Sequence, residues 1–127
     1  MKLRLKGNSI RLRVTRSELA RLQEGARIQE TIRFSADPNA RLAYVLEIGS
    51  HSQPVTVAFV AQQIVVSVSR DQLTSWGGEH QVGIYASLPV DETTVLEVSI
   101  EKDFACLDLS DEDNADTFAN PLAGKAC

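Results

Sequence analysis

The pattern IRLRVTRSELARLQE at residues 10–24 returns as IVVSVSRDQLTSWGG at residues 64–78. In both places alternating apolar residues run into a helix start, and the match in residue character continues without a gap to residues 46 and 100. Such a repeat indicates one supersecondary unit used twice. A unit of about fifty residues buries too little apolar surface to be stable alone. The sequence therefore predicts two copies that pack together about a pseudo-two-fold axis.

Two short helices are predicted at equivalent places in the two copies. Thr15-Arg-Ser-Glu18 fits a capping box, in which a hydroxyl accepts from a first-turn amide and an acid or amide side chain reaches back. Ser69-Arg-Asp-Gln72 offers the same device in the second copy. Glycines follow both segments and favour helix ends. The helices are expected at about Arg16–Gln23 and Arg70–Trp76.

Strands with period-two alternation surround each helix, so each copy reads ββαββ. In the first strand Leu3 and Leu5 are expected to face inward. The predicted strands are residues 2–6, 10–14, 27–34 and 41–48 in the first copy, and 81–88 and 94–101 after the hairpin of the second. The expected fold is mainly β, a single barrel of two pseudo-two-fold ββαββ repeats with two short helices. Its domain covers residues 1–102 (repeats 1–48 and 55–102), followed by an acidic segment, 103–127.

The charge is distributed unevenly along the chain. The net charge is −4, but residues 1–54 carry ten Lys/Arg against five Asp/Glu, whereas residues 55–127 carry three against twelve. This asymmetry is typical of nucleic-acid binding or of an acidic tail. Residues 103–116 hold six acids and no base, interspersed with Phe104, Leu107 and Leu109. The interpretation is an irregular segment docked on the barrel, whose acidic strip would compete with nucleic acid.

The outward positions of the first hairpin are all cationic. β-ribbons can enter the DNA major groove, where Lys and Arg contact phosphates and guanine edges. The same charges could equally serve to solubilise an exposed sheet and blunt its edge. The five cations are Lys2, Arg4, Lys6, Arg11 and Arg13.

The equivalent hairpin of the second copy has lost those charges. Its outward residues are Thr56, Ala58, Val60, Val65 and Ser67. A strand that is apolar on both faces needs a cover. The acidic segment is one candidate, and a homodimer through Ala58, Val60 and Val65 is the other.

The stretch Gly7-Asn8-Ser9-Ile10-Arg11-Leu12-Arg13-Val14 resembles the AbrB/MazE class of swapped-hairpin β-barrels, and the resemblance extends over about residues 2–48. It implies two copies interlocked into one DNA-binding barrel, with Lys6, Asn8, Ser9, Arg11 and Arg13 facing DNA. The outward position of Arg4 adds it to this site. The chain as a whole also resembles short uncharacterised bacterial proteins that share the Glu101-Lys-Asp-Phe-Ala-Cys-Leu-Asp stretch.

Motifs for other chemistry are missing from the sequence. His51 and His80 lack partners at metal-ligand spacing, and neither a phosphate loop nor a nucleophile motif is present. Cys106 and Cys127 are too few for a disulfide scaffold. With no apolar run of membrane-spanning length, a cytoplasmic location is expected. The sequence predicts a non-enzymatic binding module without metal or cofactor, a DNA-binding regulator or antitoxin-like protein. The alternative is a protein-interaction or structural module, a homodimer or a complex with an acidic partner, with no nucleic-acid role.

Overall fold

The computed structural model describes residues 1–104, and the predictions about the remainder of the acidic segment, including Cys106 and Cys127, lie outside this part of the chain. Its strands are β1 (Lys2–Lys6), β2 (Ser9–Val14), β3 (Ile28–Arg33), β4 (Arg41–Gly49), β5 (Val55–Val60), β6 (Gln63–Ser69), β7 (Gly83–Pro89) and β8 (Val95–Lys102). The helices are α1 (Arg16–Gln23) and α2 (Arg70–Trp76). Both helices have the predicted bounds.

The strands form two four-stranded sheets that interlock the repeats. Sheet A has the order β1-β2-β8-β7 and sheet B the order β3-β4-β6-β5. Each sheet joins the first hairpin of one repeat to the second hairpin of the other, through the parallel central pairs β2–β8 and β4–β6. The mainly-β class with two short helices is confirmed. The single closed barrel is not, because the strand pairing within residues 1–104 leaves β1, β7, β3 and β5 as edges.

Both helices begin at the predicted N-caps, but only the first capping box is complete: the Ser69 amide donates to the Pro54 carbonyl (3.0 Å) and not to the Gln72 side chain. The Glu18 amide donates to Thr15 Oγ1 (3.3 Å), and the Thr15 amide donates to Glu18 Oε1 (2.9 Å), which completes the capping box. In α2 the Gln72 amide donates to Ser69 Oγ (3.2 Å). These contacts satisfy first-turn donors that would otherwise lack a partner.

The core lies between the inner faces of the sheets and takes Leu22 from α1 and Leu73 and Trp76 from α2. Leu22 and Trp76, at equivalent positions of the two repeats, are both fully buried. The Trp76 indole N–H donates to the Val82 carbonyl (3.1 Å), so its one polar atom is satisfied. The buried strand residues around them are Ile10, Leu12, Val14, Ile28, Leu46, Val55, Ile64, Val66, Val68, Ile84, Val98 and Ile100.

Leu5 lies on the inner face of β1, as predicted, but the core does not cover it. Leu5 is 56% exposed, and its counterpart in the second repeat, Phe59, is 66% exposed. Each residue lies one position from the end of a strand, beside a two-residue hairpin turn. Alternation places both on the inner face, but there the hairpins extend beyond the packed core.

The predicted gapless correspondence between the repeats is wrong for the second hairpin. In sheet B, Ile28 pairs with Leu46, whereas in sheet A the residue that pairs with Ile100 is Ile84 and not the sequence counterpart Val82. The connection from α2 to β7 is therefore two residues longer, and the β7–β8 turn is two residues shorter. Ile84 is buried and Val82 is 50% exposed. A slip of two residues preserves the alternation of faces, so the sequence pattern could not reveal it.

Glu18 joins the first capping box to a small charged cluster. The Met1 ammonium donates to Glu18 Oε2 (2.6 Å) and lies 3.3 Å from Glu30 Oε2. Burial acts to raise the pKa of Glu18, but hydrogen bonds from the Met1 ammonium and the Thr15 amide outweigh burial and hold this pKa below its ordinary value of 4.5.

Replacing Glu18 by Gln is expected to lower the free energy of unfolding at pH 7 by about 1 kcal/mol, since the amide keeps the shape but loses the charge. A carboxyl with a depressed pKa in the folded state stabilises the fold above the unfolded-state pKa, and this contribution is lost as pH falls through the folded-state pKa. Urea unfolding of both proteins at pH 7 and pH 3 should show the difference shrinking at pH 3.

The second repeat supplies the control for this prediction. Gln72 holds the position equivalent to Glu18 and carries no charge. Gln72→Ala should have the same small effect at both pH values. If the Glu18→Gln difference is as large at pH 3 as at pH 7, the charge of Glu18 contributes nothing to stability.

Candidate nucleic-acid interface

The outer face of sheet A gathers the cations of the first hairpin. Antiparallel pairing of β1 with β2 and parallel pairing of β2 with β8 fix which side chains lie next to one another. Three rows cross the face from β1 to β7: Lys2, Arg13, Glu101 and Gly83; Arg4, Arg11, Ser99 and Tyr85; Lys6, Ser9, Glu97 and Ser87. We call the five cations of these rows the basic face (Lys2, Arg4, Lys6, Arg11 and Arg13).

Acidic residues at the end of β8 neutralise part of the basic face. Glu101 Oε1 lies 3.3 Å from Arg11 Nε and 3.7 Å from Arg13 Nε, so one carboxylate serves two guanidinium groups. The side chain of Glu101 is only 17% exposed. Lys2 Nζ lies 3.1 Å from Asp103 Oδ2. Sequence reasoning missed Glu101, which stands about ninety residues from both arginines along the chain, whereas Asp103 belongs to the acidic segment that was predicted to compete for this face.

Arg4 and Lys6 remain the open cations of the basic face. Both are exposed, and neither has a carboxylate within ion-pair distance among residues 1–104. A depression of about 240 Å³ lies beside them; its lining residues are Arg4, Lys6, Ser9, Ile10, Arg11 and Ser99. A phosphate group there would meet several donors.

Two residues of the predicted site have structural contacts in the hairpin turn. The Asn8 side-chain amide donates to the Val95 carbonyl (2.8 Å), and the Glu97 amide donates to the Asn8 carbonyl (3.1 Å). The Ser9 hydroxyl donates to the Lys6 carbonyl. Gly7 carries the positive φ (+55°) that this two-residue turn needs. Asn8 therefore holds the tip of the hairpin to β8, and Ser9 stabilises the turn itself.

Tyr85 contributes an aromatic side chain to the same face. Its hydroxyl donates to Glu101 Oε2 (2.8 Å), and its side chain is largely exposed, on the edge strand β7. The hydrogen bond to this carboxylate, followed by burial, raises the pKa of Tyr85 above its ordinary value of 10.0. The phenol therefore stays neutral at physiological pH and continues to donate to Glu101.

The outer face of sheet B, the equivalent surface of the second repeat, has no comparable cations on its first hairpin. Ala58 and Val60 are exposed and Val65 is half-buried, so the apolar positions lie on one side of β5 and β6 as predicted. Residues 1–104 provide no cover over Ala58 and Val60.

A contact that sequence reasoning missed ties the linker between the repeats to sheet B. His51 Nε2 lies 3.0 Å from Ser67 Oγ, and His51 Nδ1 lies 2.6 Å from the Gln53 carbonyl. Gly49 makes room, since a β-carbon there would collide with both Ser67 and His51. Ser67 is only 7% exposed beneath the imidazole. The contact anchors the linker, and no sequence signal connects two residues of these types at this spacing.

These features define a class: a mainly-β protein of two interlocked repeats with a cationic face on one sheet. The chain belongs to a family of unknown function, DUF7009, whose model matches residues 1–122. No curated protein and no solved structure matches it. Neither helix of residues 1–104 has the length and apolar character needed to cross a membrane. The relation to swapped-hairpin barrels and the absence of enzymatic activity stay predictions.

Proposed function

We propose that this protein is a non-enzymatic DNA-binding module, a cytoplasmic regulator or antitoxin-like protein that contacts DNA with the basic face of sheet A. The observation that carries the proposal is the convergence of five cations on one side of β1 and β2, with Arg4 and Lys6 exposed and open. Lys and Arg on a two-stranded ribbon can neutralise phosphates and reach base edges in the major groove.

In this proposal Glu101 lowers the affinity for DNA. Arg11 and Arg13 must exchange the Glu101 carboxylate for DNA phosphates. Breaking their ion pairs with Glu101 costs part of the free energy that the phosphate contacts provide. Arg4 and Lys6 have no such partner to leave, so they make the first contacts. The likeness of the Gly7–Val14 stretch to swapped-hairpin barrels supports the same face.

Binding of a fluorescent mixed-sequence duplex, followed by anisotropy at about 50 and 200 mM salt, tests the proposal. The affinity is expected to fall steeply with salt, with a slope of about −0.9 per phosphate contacted. Glu101→Gln should bind several-fold more tightly, because Arg11 and Arg13 then have no carboxylate to leave. Glu97→Gln removes the same charge from the same strand and face without touching either arginine, and should change affinity less.

Absence of binding by the folded wild-type protein and by Glu101→Gln at 50 mM salt would remove the DNA proposal. Equal tightening by Glu101→Gln and Glu97→Gln would show that net charge alone controls affinity. That result would contradict the role given to the Arg11–Glu101–Arg13 contact, but it would not contradict DNA binding.

A second candidate function is protein interaction through a homodimer. The observation that favours it is the apolar outer face of Ala58, Val60 and Val65, which replaces charged residues of the first repeat and is uncovered at Ala58 and Val60 within residues 1–104. Exposed contiguous apolar surface is typical of interaction sites. An apolar interface of this kind would respond little to salt, in contrast to phosphate binding.

A further inference from the structure

The four sheet edges of this fold are protected to different extents. Exposed strand edges invite pairing with other chains, and proteins blunt them with charges or proline. The edge strand β1 carries Lys2, Arg4 and Lys6, and β3 carries Glu30 and Arg33. β7 ends on Pro89. β5, with the sequence VTVAFV, has neither a charge nor a proline.

The unprotected strand also exposes its largest side chains. Phe59 and Val60 are each 66% exposed at the end of β5. β1 and β5 are equivalent by the repeat, so the comparison holds the architecture constant and changes only the side chains. At this position the chain has charged residues in one repeat and apolar residues in the other.

The turn geometry shows which backbone amides of β5 point away from β6. Ala61 and Gln62 both have positive φ (51° and 63°) and form a two-residue turn between Val60 and Gln63. Residues that flank such a turn exchange both backbone hydrogen bonds, and bonded pairs then alternate along the hairpin. The amides of Val60 and Ala58 therefore point to β6, and those of Phe59 and Val57 point to the open edge.

We propose that β5 pairs with β5 of a second copy of this chain, antiparallel and centred on Val57, so that sheet B continues across a two-fold axis. Val57 then lies opposite Val57 of the second copy, and Val55 lies opposite Phe59. On the outer face Thr56 meets Ala58, so no charged side chain opposes another. The same arrangement at β1 would set Lys2 against Arg4, and this like-charge repulsion excludes that edge.

This inference rests on homodimerisation, the second candidate function, but places the contact at the edge of β5 instead of on the outer face, and it does not depend on DNA binding. Pairing adds backbone hydrogen bonds to the outward-pointing amides of Val57 and Phe59. It also covers the exposed side chains of Phe59 and Val60. The basic face lies on the other sheet and is left open by this contact.

The proposed dimer can be tested by sedimentation equilibrium of the wild-type protein and three variants over a wide concentration range. The wild type should dimerise, and Phe59→Pro should raise the dimer dissociation constant at least tenfold, because it removes an outward donor and blocks the edge. Leu5→Pro is the matched control at the equivalent position of β1 and should leave the dimer intact. Val65→Lys charges the outer face without touching the edge and should also leave it intact.

Amide hydrogen exchange gives a second readout that needs no variant. The amides of Val57 and Phe59 should be protected at concentrations where the dimer forms and should exchange rapidly on dilution. A dimer that is lost with Val65→Lys but kept with Phe59→Pro would overturn edge pairing and leave the homodimer through the outer face. A monomer at all concentrations with unprotected amides would overturn both. Protected amides in a monomer would assign the edge to another part of the same chain and overturn the proposal.

Discussion

Trp76→Ala is expected to destabilise the protein by about 3–5 kcal/mol. Trp76 is fully buried and is the largest fully buried side chain of residues 1–104. Its removal leaves a cavity among residues of both sheets, which the interlocked strands cannot easily close. A loss of this size is a large part of the about 5–15 kcal/mol that stabilises an ordinary domain. The variant should be partly unfolded well below the wild-type melting temperature.

Urea unfolding followed by far-UV circular dichroism measures this effect, since Trp76 is the only tryptophan and its fluorescence disappears with the substitution. Leu22→Ala, at the equivalent position of α1, serves as the comparison and should cost about 2–5 kcal/mol. Trp76→Phe should cost less than Trp76→Ala: it loses the indole hydrogen bond to the Val82 carbonyl, but that carbonyl still accepts from the Lys102 amide (3.0 Å). A change below about 1 kcal/mol for Trp76→Ala would be incompatible with the position of α2 in the core.

The double substitution of Arg4 and Lys6 by Ala should weaken DNA binding at least tenfold (about 1.4 kcal/mol) at moderate salt. These side chains lie together beside the depression on the outer face of sheet A and have no acidic partner among residues 1–104. Each lost phosphate contact should also reduce the steepness of the salt dependence by about 0.9. Anisotropy titrations across a salt series report both quantities.

The matched control removes the same charge from α1. Arg16 and Arg21 are exposed and lie off the basic face, so replacing both by Ala should leave the salt slope unchanged. Circular dichroism should show that both double variants are folded. If the two double substitutions weaken binding equally, the basic face is not the binding site, and the affinity depends only on the total charge of the protein.

Much of the local structure could be predicted because short-range interactions determine it. The starts of the helices follow from the N-cap hydroxyls of Thr15 and Ser69, and the strands follow from alternation over a few residues. The packing of the two repeats against each other was predictable, since neither copy can bury its apolar face alone; their interlocking was implied only by the resemblance to swapped-hairpin barrels. The outward direction of the five cations follows from the same alternation, and their shared face confirms it.

What the sequence could not determine is every feature that depends on which strands become neighbours. Glu101 meets Arg11 and Arg13 only because β8 pairs in parallel with β2. The two-residue slip of β7 leaves the alternation of faces unchanged, so the sequence pattern does not indicate it. The exposure of Leu5 and Phe59 depends on where the opposite sheet ends.

The sequence by itself thus determined the elements, their caps and the side of each strand that carries charge, because these follow from contacts between residues close in the chain. Only the tertiary structure decided the sheet order, the two separate sheets with their open edges, and the acidic partners of the basic face. Those depend on pairing between strands far apart in sequence, whose hydrogen bonds are made by backbone groups that are chemically alike at almost every residue.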